Sequence, residues 1–181
     1  MSDDLILEGS KVLLRTPSTK DREAFDDILN DKESMRALIP FFGGKDEWSD
    51  EDISSSYNRF TKEAGGTAEM NLAVLEKSSN NVVGCCGFKN IDSKEKTAEF
   101  GIILSRSVWG KGISKEAHSL ALDWAFKSLG LNEIFFYTDE HNLRMIGFFE
   151  SHGIRFKGTK ERMQYFIVTQ KEWPFIKAKL S

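Results

Sequence analysis

The sequence predicts a mixed α/β (or α+β) fold in one domain covering residues 1–181, and three observations support this prediction. A length of 181 residues fits one domain and allows a sizeable buried core. Hydrophobic residues make up 40% of the chain and charged residues 29%, which is typical of a globular protein. The hydrophobic period changes along the chain between helical and alternating spacing, in the order ββ-helix-helix-βββ-helix-β-helix-β.

The N-terminal part of the chain is predicted to contain short strands and then two helices. Residues 5–15 hold two short apolar stretches, and the second, 12–15, predicts a strand that ends at a Thr-Pro pair. A helix is predicted to open at Thr19, because apolar residues then recur at helical spacing. Ser49 and the three acidic residues after it predict a second helix that ends near Ala64, before two glycines. The apolar residues of the first helix are Ala24, Phe25, Ile28 and Leu29.

The middle of the chain is predicted to form a β-hairpin and a third strand. Residues 71–75 and 82–88 are apolar and flank a Ser-Ser-Asn-Asn turn, which is a hairpin pattern. Residues 98–104 alternate, so this strand has two different faces. Its first face holds Ala98, Phe100, Ile102 and Leu104, and its second face holds Glu99, Gly101 and Ile103.

The C-terminal part is predicted to alternate between helices and strands. The strongest helical stripe runs over 114–129 and ends at a glycine, and a strand follows at 134–137. A short helix is predicted over 142–152, closed by Gly153, and a last strand over 164–168. The remaining residues are predicted to be a polar and aromatic tail without a regular element.

Charge and cysteine content exclude some function classes. The chain carries 25 basic and 28 acidic residues, so it lacks the basic excess of a nucleic-acid-coating protein, and a cationic substrate would not be repelled. The only cysteines, Cys85 and Cys86, are neighbours and cannot easily form a disulfide, which favours a reducing compartment. The acidic start does not resemble a signal peptide and no apolar run is long enough to span a membrane, so we expect a cytoplasmic protein.

One segment, residues 106–114, has a pattern that is typical of a ligand-binding site. It lies between a predicted strand and the strongest predicted helix, and it contains Gly110, Lys111 and Gly112. Glycines at this place let the backbone approach a ligand, and the amides and dipole of the new helix favour a phosphate. A simple glycine-rich turn before a helix is an equally good interpretation of these residues. The P-loop spacing and the third glycine of a dinucleotide fingerprint are both missing.

Two spaced blocks of this sequence resemble a known family. Residues 109–117 (Trp-Gly-Lys-Gly-Ile-Ser-Lys-Glu-Ala) resemble the acetyl-CoA signature of the GNAT N-acetyltransferases, in the form found in the RimJ/RimL-like ribosomal-protein branch. Asn142, followed by Phe149-Glu150 and Gly153, is similar in spacing to the family's second motif. The similarity extends from about Leu5 to Val168.

The resemblance implies a GNAT fold, in which helices flank a central mixed and mostly antiparallel sheet, and acetyl-CoA as co-substrate. Strand backbone would hold the pantetheine arm, with amides near Ile103 polarising the thioester carbonyl. The amides of the glycine segment would hold the pyrophosphate, and the helix after Asn142 would pack along the thiol end. The implied cofactor-binding residues are Ile102, Ile103, Leu104, Trp109, Gly110, Lys111, Gly112, Ile113, Ser114, Asn142 and Phe149.

Acetyl transfer to an amine needs a proton acceptor, because the ammonium form cannot attack. Glu99 is the candidate base, since the resemblance implies a glutamate at this place, and a solvated strand glutamate is the alternative. The family often has Tyr or Ser in the second helix as the acid. The matching positions here are Phe149 and Met145, which cannot donate a proton, so another group or water must do so.

Other residues offer weaker candidates. His118, His141 and His152 lack metal-ligand spacing, so no metal site is expected; packing is the simpler role for the first and third, and His141 could lie near the site. Acidic residues 50–52 are a helix start or a rim that attracts an amine. Phe41, Phe42 and Trp48 could line an acceptor pocket or belong to the core.

The function expected from these observations is acetyl-CoA-dependent N-acetyltransfer to a primary amine, by direct attack in a ternary complex. The branch resemblance favours a protein N-terminal amine as acceptor. A small-molecule amine (polyamine, amino acid or antibiotic) and a non-catalytic acyl-CoA-binding module are the alternatives. The resemblance also implies a possible homodimer, and no nucleic-acid or membrane partner is expected.

Overall fold

The structure, a computed structural model, describes residues 5–31, 49, 51 and 69–180. Within these residues, eight strands form one sheet in the spatial order β1-β2-β3-β4-β5-β6-β8-β7. The strands are β1 Ile6–Glu8, β2 Val12–Arg15, β3 Glu69–Glu76, β4 Asn81–Asp92, β5 Thr97–Leu104, β6 Glu133–Asp139, β7 Arg155–Lys160 and β8 Met163–Thr169. The sheet is antiparallel except where β5 pairs with β6, which confirms the predicted mixed α/β fold.

Four α-helices and two short 3-10 turns are described beside the sheet. The helices are α1 Arg22–Asn30, α2 Ile113–Lys127, α3 Leu143–His152 and α4 Trp173–Leu180, and the 3-10 turns are Thr19–Asp21 and Arg106–Val108. No helix in the described part of the chain is long and apolar enough to cross a lipid bilayer.

The predicted strands and helices within the described residues are confirmed, and two elements were not predicted. The tail that was expected to be irregular forms α4, in which Trp173, Ile176 and Leu180 are buried at helical spacing. Strand β7 is mostly exposed and polar, so its sequence has no alternating pattern; it forms by pairing with β8 at the edge of the sheet. The helix predicted from Ser49 to Ala64 lies outside the described residues, apart from Ser49 and Glu51.

Strands β5 and β6 pair over only three residues and then part. Their parallel register joins Thr97 to Glu133 and Glu99 to Phe135, and no pairing follows beyond that point. Each strand continues with its other neighbour: β5 stays paired with β4 as far as Leu104, and β6 stays paired with β8 as far as Asp139. The sheet therefore opens between residues 100–104 of β5 and residues 136–139 of β6.

The two faces of the sheet bury separate cores. Helices α2, α3 and α4 cover one face, where aromatic rings dominate the packing. Helix α1 covers part of the other face with Phe25, Ile28 and Leu29. Cys86 belongs to the first core and Cys85 to the second, because neighbouring strand residues point to opposite faces. Rings of the first core include Phe88, Phe100, Phe126, Phe136, Phe149 and Phe166.

The carboxylate of Glu116 joins the first turn of α2 to the turn between β1 and β2. It accepts the backbone N–H groups of Ser10 (2.9 Å), Lys11 (2.7 Å) and Val12 (2.6 Å), and the hydroxyl of Ser10 (2.6 Å). Gly9 permits this approach, because a Cβ there would lie 2.6 Å from the carboxyl carbon. Burial alone would raise the pKa of Glu116, but these hydrogen bonds outweigh it and lower the pKa below the ordinary 4.5.

We predict that Glu116→Ala lowers the free energy of unfolding by about 2–3 kcal/mol, because several charge-assisted hydrogen bonds are lost at once. Urea unfolding at pH 7 measures this. A depressed carboxyl pKa stabilises the fold above the unfolded value, so the effect should shrink as pH falls below about 4.5. The exposed helical Glu150→Gln is the matched control and should have little effect. Equal losses in the two variants would contradict the prediction.

Candidate active site

The edge of β5 that faces the opening presents backbone groups of alternate residues. The N–H of Ser105 points toward β4 and donates to the carbonyl of Val83 (2.8 Å). Because the backbone groups of successive strand residues face opposite edges, those of Leu104 and Ile102 point away from β4. The carbonyl of Leu104 indeed faces the other way and accepts the indole N–H of Trp109 (3.1 Å). The edge groups are therefore those of Ile102 and Leu104, whereas the amide of Ile103 faces β4.

The glycine loop (residues 109–114) joins this edge to the start of α2. Gly110 and Gly112 have φ angles of 77° and 83°, a conformation that L side chains rarely adopt. Gly112 is the N-cap of α2 and no side chain caps the helix. Within the described residues, the backbone N–H groups of 112–114 have no hydrogen-bond acceptor. These amides and the helix dipole form a place where an anion can bind.

Two lysines add positive charge to the glycine loop. The ammonium of Lys11 donates to the carbonyl of Lys111 (3.2 Å) and would lie 3.2 Å from a Cβ at Gly112. Lys111 itself is about half exposed and lies 3.6 Å from a carboxylate oxygen of Glu76. Lys11 is distant in sequence from the loop, so sequence reasoning missed it, and only the pairing of β2 with β3 and the Glu116 contact bring it there.

An open cleft of about 630 Å³ adjoins the glycine loop at Trp109. Trp109 forms one wall, and the Arg144 guanidinium carbon lies 3.6 Å from the centre of its ring. Arg144 is another residue that sequence reasoning missed, since nothing in its local pattern indicates a cation at the loop. The cleft is lined by Asp31, Arg106, Ser107, Trp109 and Arg144.

Two expected cofactor-binding residues have structural contacts of their own. Asn142 is the N-cap of α3: its side-chain oxygen accepts the N–H of Met145 (3.3 Å), and its amide donates to the Thr138 hydroxyl (3.0 Å). Phe149 is only 1% exposed and packs 5.0 Å from Phe136 and 4.8 Å from Phe166, between ring centres. The structure thus places Phe149 in the core rather than on the surface of the opening.

Glu99 lies where β5 and β6 begin to part, on the sheet face that α1 covers. Its side chain is partly exposed, and one carboxylate oxygen accepts the side-chain amide of Asn90 (3.0 Å). Lys89 lies opposite it in the antiparallel register with β4. The other carboxylate oxygen has no hydrogen-bond donor among the described residues, so it can accept a proton or a hydrogen bond from a bound molecule.

An aromatic cluster (Phe135, Tyr137 and Tyr165) lies beside Glu99 on the same face. The rings of Tyr137 and Tyr165 stack at 5.0 Å with 18° between their planes, and Phe135 meets each of them edge-on at 5.9 Å. Tyr137 is 37% exposed. Sequence reasoning assigned these tyrosines only to strands, because their closeness to Glu99 depends on the register of β5, β6 and β8.

The histidines have different surroundings. His118 is fully buried in the first core, where its Nδ1 donates to the Ser114 carbonyl (2.8 Å), and burial lowers its pKa to about 4. His152 is also buried, and its Nδ1 donates to the Phe148 carbonyl (2.7 Å). His141 is exposed and its Nδ1 lies 3.1 Å from an oxygen of Asp139, at the far end of β6. No three His, Cys, Asp or Glu side chains among residues 5–31 and 69–180 are placed to hold a metal ion.

Three comparisons with known proteins bear on this arrangement. The model of the family described as "Acetyltransferase (GNAT) domain" matches residues 11–155. The uncharacterised N-acetyltransferase p20 of Bacillus licheniformis is 41% identical over 63 residues, a match that spans about a third of either chain (35% of each). A spermidine N(1)-acetyltransferase of Vibrio cholerae is 26% identical over 126 residues, which is 70% of each chain.

A solved structure gives the same result for the fold. The crystal structure of spermidine N-acetyltransferase from Vibrio cholerae in complex with CoA and spermine superposes with a TM-score of 0.74 at 20% identity, over 92% of this chain and 99% of that chain. The GNAT fold expected from the sequence is thereby confirmed.

We predict that neither cysteine reacts as a thiolate. Both side chains are almost fully buried; burial raises the pKa of Cys86 to about 12 and, with the charge of its neighbour, that of Cys85 well above 9. A thiol reagent such as DTNB should leave both unmodified in the folded protein and modify both in urea. The Cys85→Ala/Cys86→Ala double variant should keep the rate of acetyl transfer, and a large loss of rate in the folded variant would contradict this.

Proposed function

The chain belongs to the GNAT acetyltransferase family, and from that premise we propose that it acetylates a primary amine at the opening between β5 and β6. N-acetyltransferase activity and acetyl-CoA as acetyl donor are properties of the family itself. The observation that carries the proposed location is the parting of β5 and β6 next to a helix N-terminus whose first amides have no acceptor among the described residues. Groups that could bind the donor and a carboxylate that could accept a proton both lie around that opening.

The residues of the opening fit the two chemical parts of the donor. The amides of 112–114, which have no acceptor in the described part of the chain, suit a pyrophosphate together with Lys11 and Lys111, because amides and lysines both favour an anion there. The unpaired edge of β5 at Ile102 suits the amide groups of a pantetheine arm, since an extended chain can add to a strand edge. The Trp109 ring and Arg144 line the adjoining cleft, where the nucleotide end would lie.

Glu99 is proposed as the general base. Direct attack requires that the amine lose a proton as its nitrogen bonds to the thioester carbonyl. At the point where the strands part, one carboxylate oxygen of Glu99 has no hydrogen-bond donor among residues 5–31 and 69–180. The edge amide near Ile102 would stabilise the negative charge that develops on the carbonyl oxygen. No covalent intermediate with the enzyme is needed, in accord with the burial of both cysteines.

We propose a small cationic amine as the acceptor. The protein has a net charge of −3, and Glu99 offers a carboxylate at the opening, both of which favour a positively charged substrate. Two similar proteins from Vibrio cholerae and Escherichia coli are named as spermidine N(1)-acetyltransferases. A protein N-terminal amine is the second candidate, which the signature at 109–117 favours through its resemblance to the RimJ/RimL-like branch.

An amine panel tests the proposed function. Purified protein with acetyl-CoA should release CoA thiol faster with spermidine or spermine than without an amine, and faster than with amino acids or short peptides with free N-termini. Faster thiol release with the peptides would instead favour the second candidate acceptor, a protein N-terminal amine. Acetyl-CoA and CoA should raise the melting temperature while ATP does not, because a ligand that binds only the folded state stabilises it. If acetyl-CoA stabilises the protein but no amine causes release of CoA thiol, the proposed enzymatic activity is wrong and the protein is a non-catalytic acyl-CoA-binding module.

We predict that Glu99→Gln lowers kcat by about 100-fold or more at neutral pH, because general-base catalysis contributes 10²–10⁴-fold. The deficit should shrink as pH approaches the pKa of the free amine, about 10, because the substrate then no longer has to give its ammonium proton to Glu99 before it attacks. Glu133→Gln is the matched control, since Glu133 is also a partly exposed strand glutamate near the aromatic cluster. A folded Glu99→Gln protein with normal kcat would remove Glu99 as the base.

A further inference from the structure

We propose that Tyr137 donates the proton to the departing CoA thiolate. This inference rests on the proposed function and adds to it the missing acid of the reaction. The two positions where the family resemblance implies an acid are Phe149 and Met145, and neither side chain carries a proton donor. Phe149 is moreover enclosed in the core. The proposed donor therefore belongs to another element that reaches the opening.

The register of the sheet brings Tyr137 to the opening. Phe135 is the last residue of β6 that pairs with β5, and its partner is Glu99. Tyr137 is the next residue of β6 on the same face, so it is the diagonal neighbour of Glu99 at the point where the strands part. Because β6 continues directly from Phe135, the partner of Glu99, the Tyr137 side chain emerges on the Glu99 side of the opening.

Packing holds the Tyr137 ring in a defined orientation. One side of the ring stacks on Tyr165, and the edge of Phe135 contacts the same pair, so ring rotation is restricted by two neighbours. The side chain nevertheless keeps 37% of its surface exposed. A restricted ring that keeps part of its surface exposed is a suitable arrangement for a side chain that must meet a leaving group.

The electrostatic surroundings keep the Tyr137 hydroxyl protonated. Partial burial, and then the negative charge of Glu99, raise the pKa of the Tyr137 phenol above its ordinary value of 10. The phenol therefore carries its proton at neutral pH. The influence of Glu99 on this phenol also indicates that the two side chains are close in space.

Other potential donors are less well placed. Tyr165 has the same chemistry but lies on β8, one strand further from the opening. His141 lies beyond Asp139 at the far end of β6, and Asp139 alone is four residues, about 13 Å, past Phe135. Cys85 and Cys86 are buried. Tyr137 is thus the hydroxyl nearest to Glu99 among these groups.

The proton transfers balance with this assignment. The ammonium substrate first gives one proton to Glu99, which releases it to solvent. The neutral amine nitrogen then bonds to the acetyl carbon, and a second proton of that nitrogen goes to the Glu99 carboxylate. The carbon–sulfur bond then breaks, its electron pair stays on sulfur, and the Tyr137 hydroxyl gives its proton to that sulfur. The phenolate regains a proton from the Glu99 carboxylic acid, directly or through a water molecule. The enzyme returns to its starting state, and the products are the N-acetyl amine and the CoA thiol.

The test compares Tyr137→Phe with Tyr165→Phe in the full chain, with acetyl-CoA and the best amine of the panel. Both changes remove one hydroxyl and keep the stacked rings. Tyr137→Phe should lower kcat by about 100-fold with both KM values within twofold of wild type, because an acid acts only in the transition state. Tyr165→Phe should keep the wild-type kcat.

Three results would overturn the inference. These are a normal kcat for Tyr137→Phe, a raised amine KM as its only defect, or an equal loss of kcat in both variants, which would indicate a structural role of the aromatic cluster. These results differ from a failure of the proposed function itself. In that case the wild-type protein would release no CoA thiol with any amine, and no proton donor would be needed.

A second measurement does not depend on removing the hydroxyl. Placing 3-fluorotyrosine at position 137 lowers the phenol pKa while keeping its shape, so a descending limb should enter the pH profile of kcat below the range of wild type. The same substitution at position 165 should leave the profile unchanged. An unchanged profile at position 137 would overturn the inference even if Tyr137→Phe proved unstable.

Discussion

The short pairing of β5 with β6 is the constraint on which the rest of the site depends. Two neighbouring strands of one sheet normally satisfy each other's backbone groups, but here they do so for only three residues. The groups of β5 beyond Glu99 must find other partners, and Trp109 supplies one by donating to the Leu104 carbonyl. In the proposed site an extended ligand would take the place of a strand in this gap, so that donor binding would rest on backbone rather than on particular side chains.

The two faces of the sheet divide the proposed chemistry. On one face, Glu116 fixes the start of α2 against the β1–β2 turn, and this brings Lys11 to the glycine loop. Charge and free amides for the donor therefore come from elements that are far apart in sequence but joined by one carboxylate. On the other face, Glu99 and Tyr137 lie together because β5 and β6 still pair at Glu99. The reacting atoms would meet in the gap between these two groups.

Local patterns in the sequence predict the strands, the long helix and the glycine loop, because alternation, helical spacing and glycines act within a few residues. They also predict that Glu99 lies on a different face from Phe100. Strand β7 could not be predicted, since its exposed polar residues form a strand only through β8. The burial of Phe149 and the positions of Lys11, Arg144 and Tyr137 depend on register and packing between distant elements. Helix α4 did carry helical spacing, at Trp173, Ile176 and Leu180, and so could have been predicted.

The two halves of the site should therefore differ in how they respond to sequence change. Backbone amides of 112–114 and the edge of β5 persist under most side-chain substitutions, provided that Gly112 keeps its left-handed conformation. The proposed base and acid are single side chains, held by a three-residue register and by one stacked ring. A shift of one residue between β5 and β6 would move Glu99 and Tyr137 to different relative positions and leave the glycine loop intact. Binding of the donor can thus outlast catalysis when this sheet is altered, because the two depend on different kinds of contact.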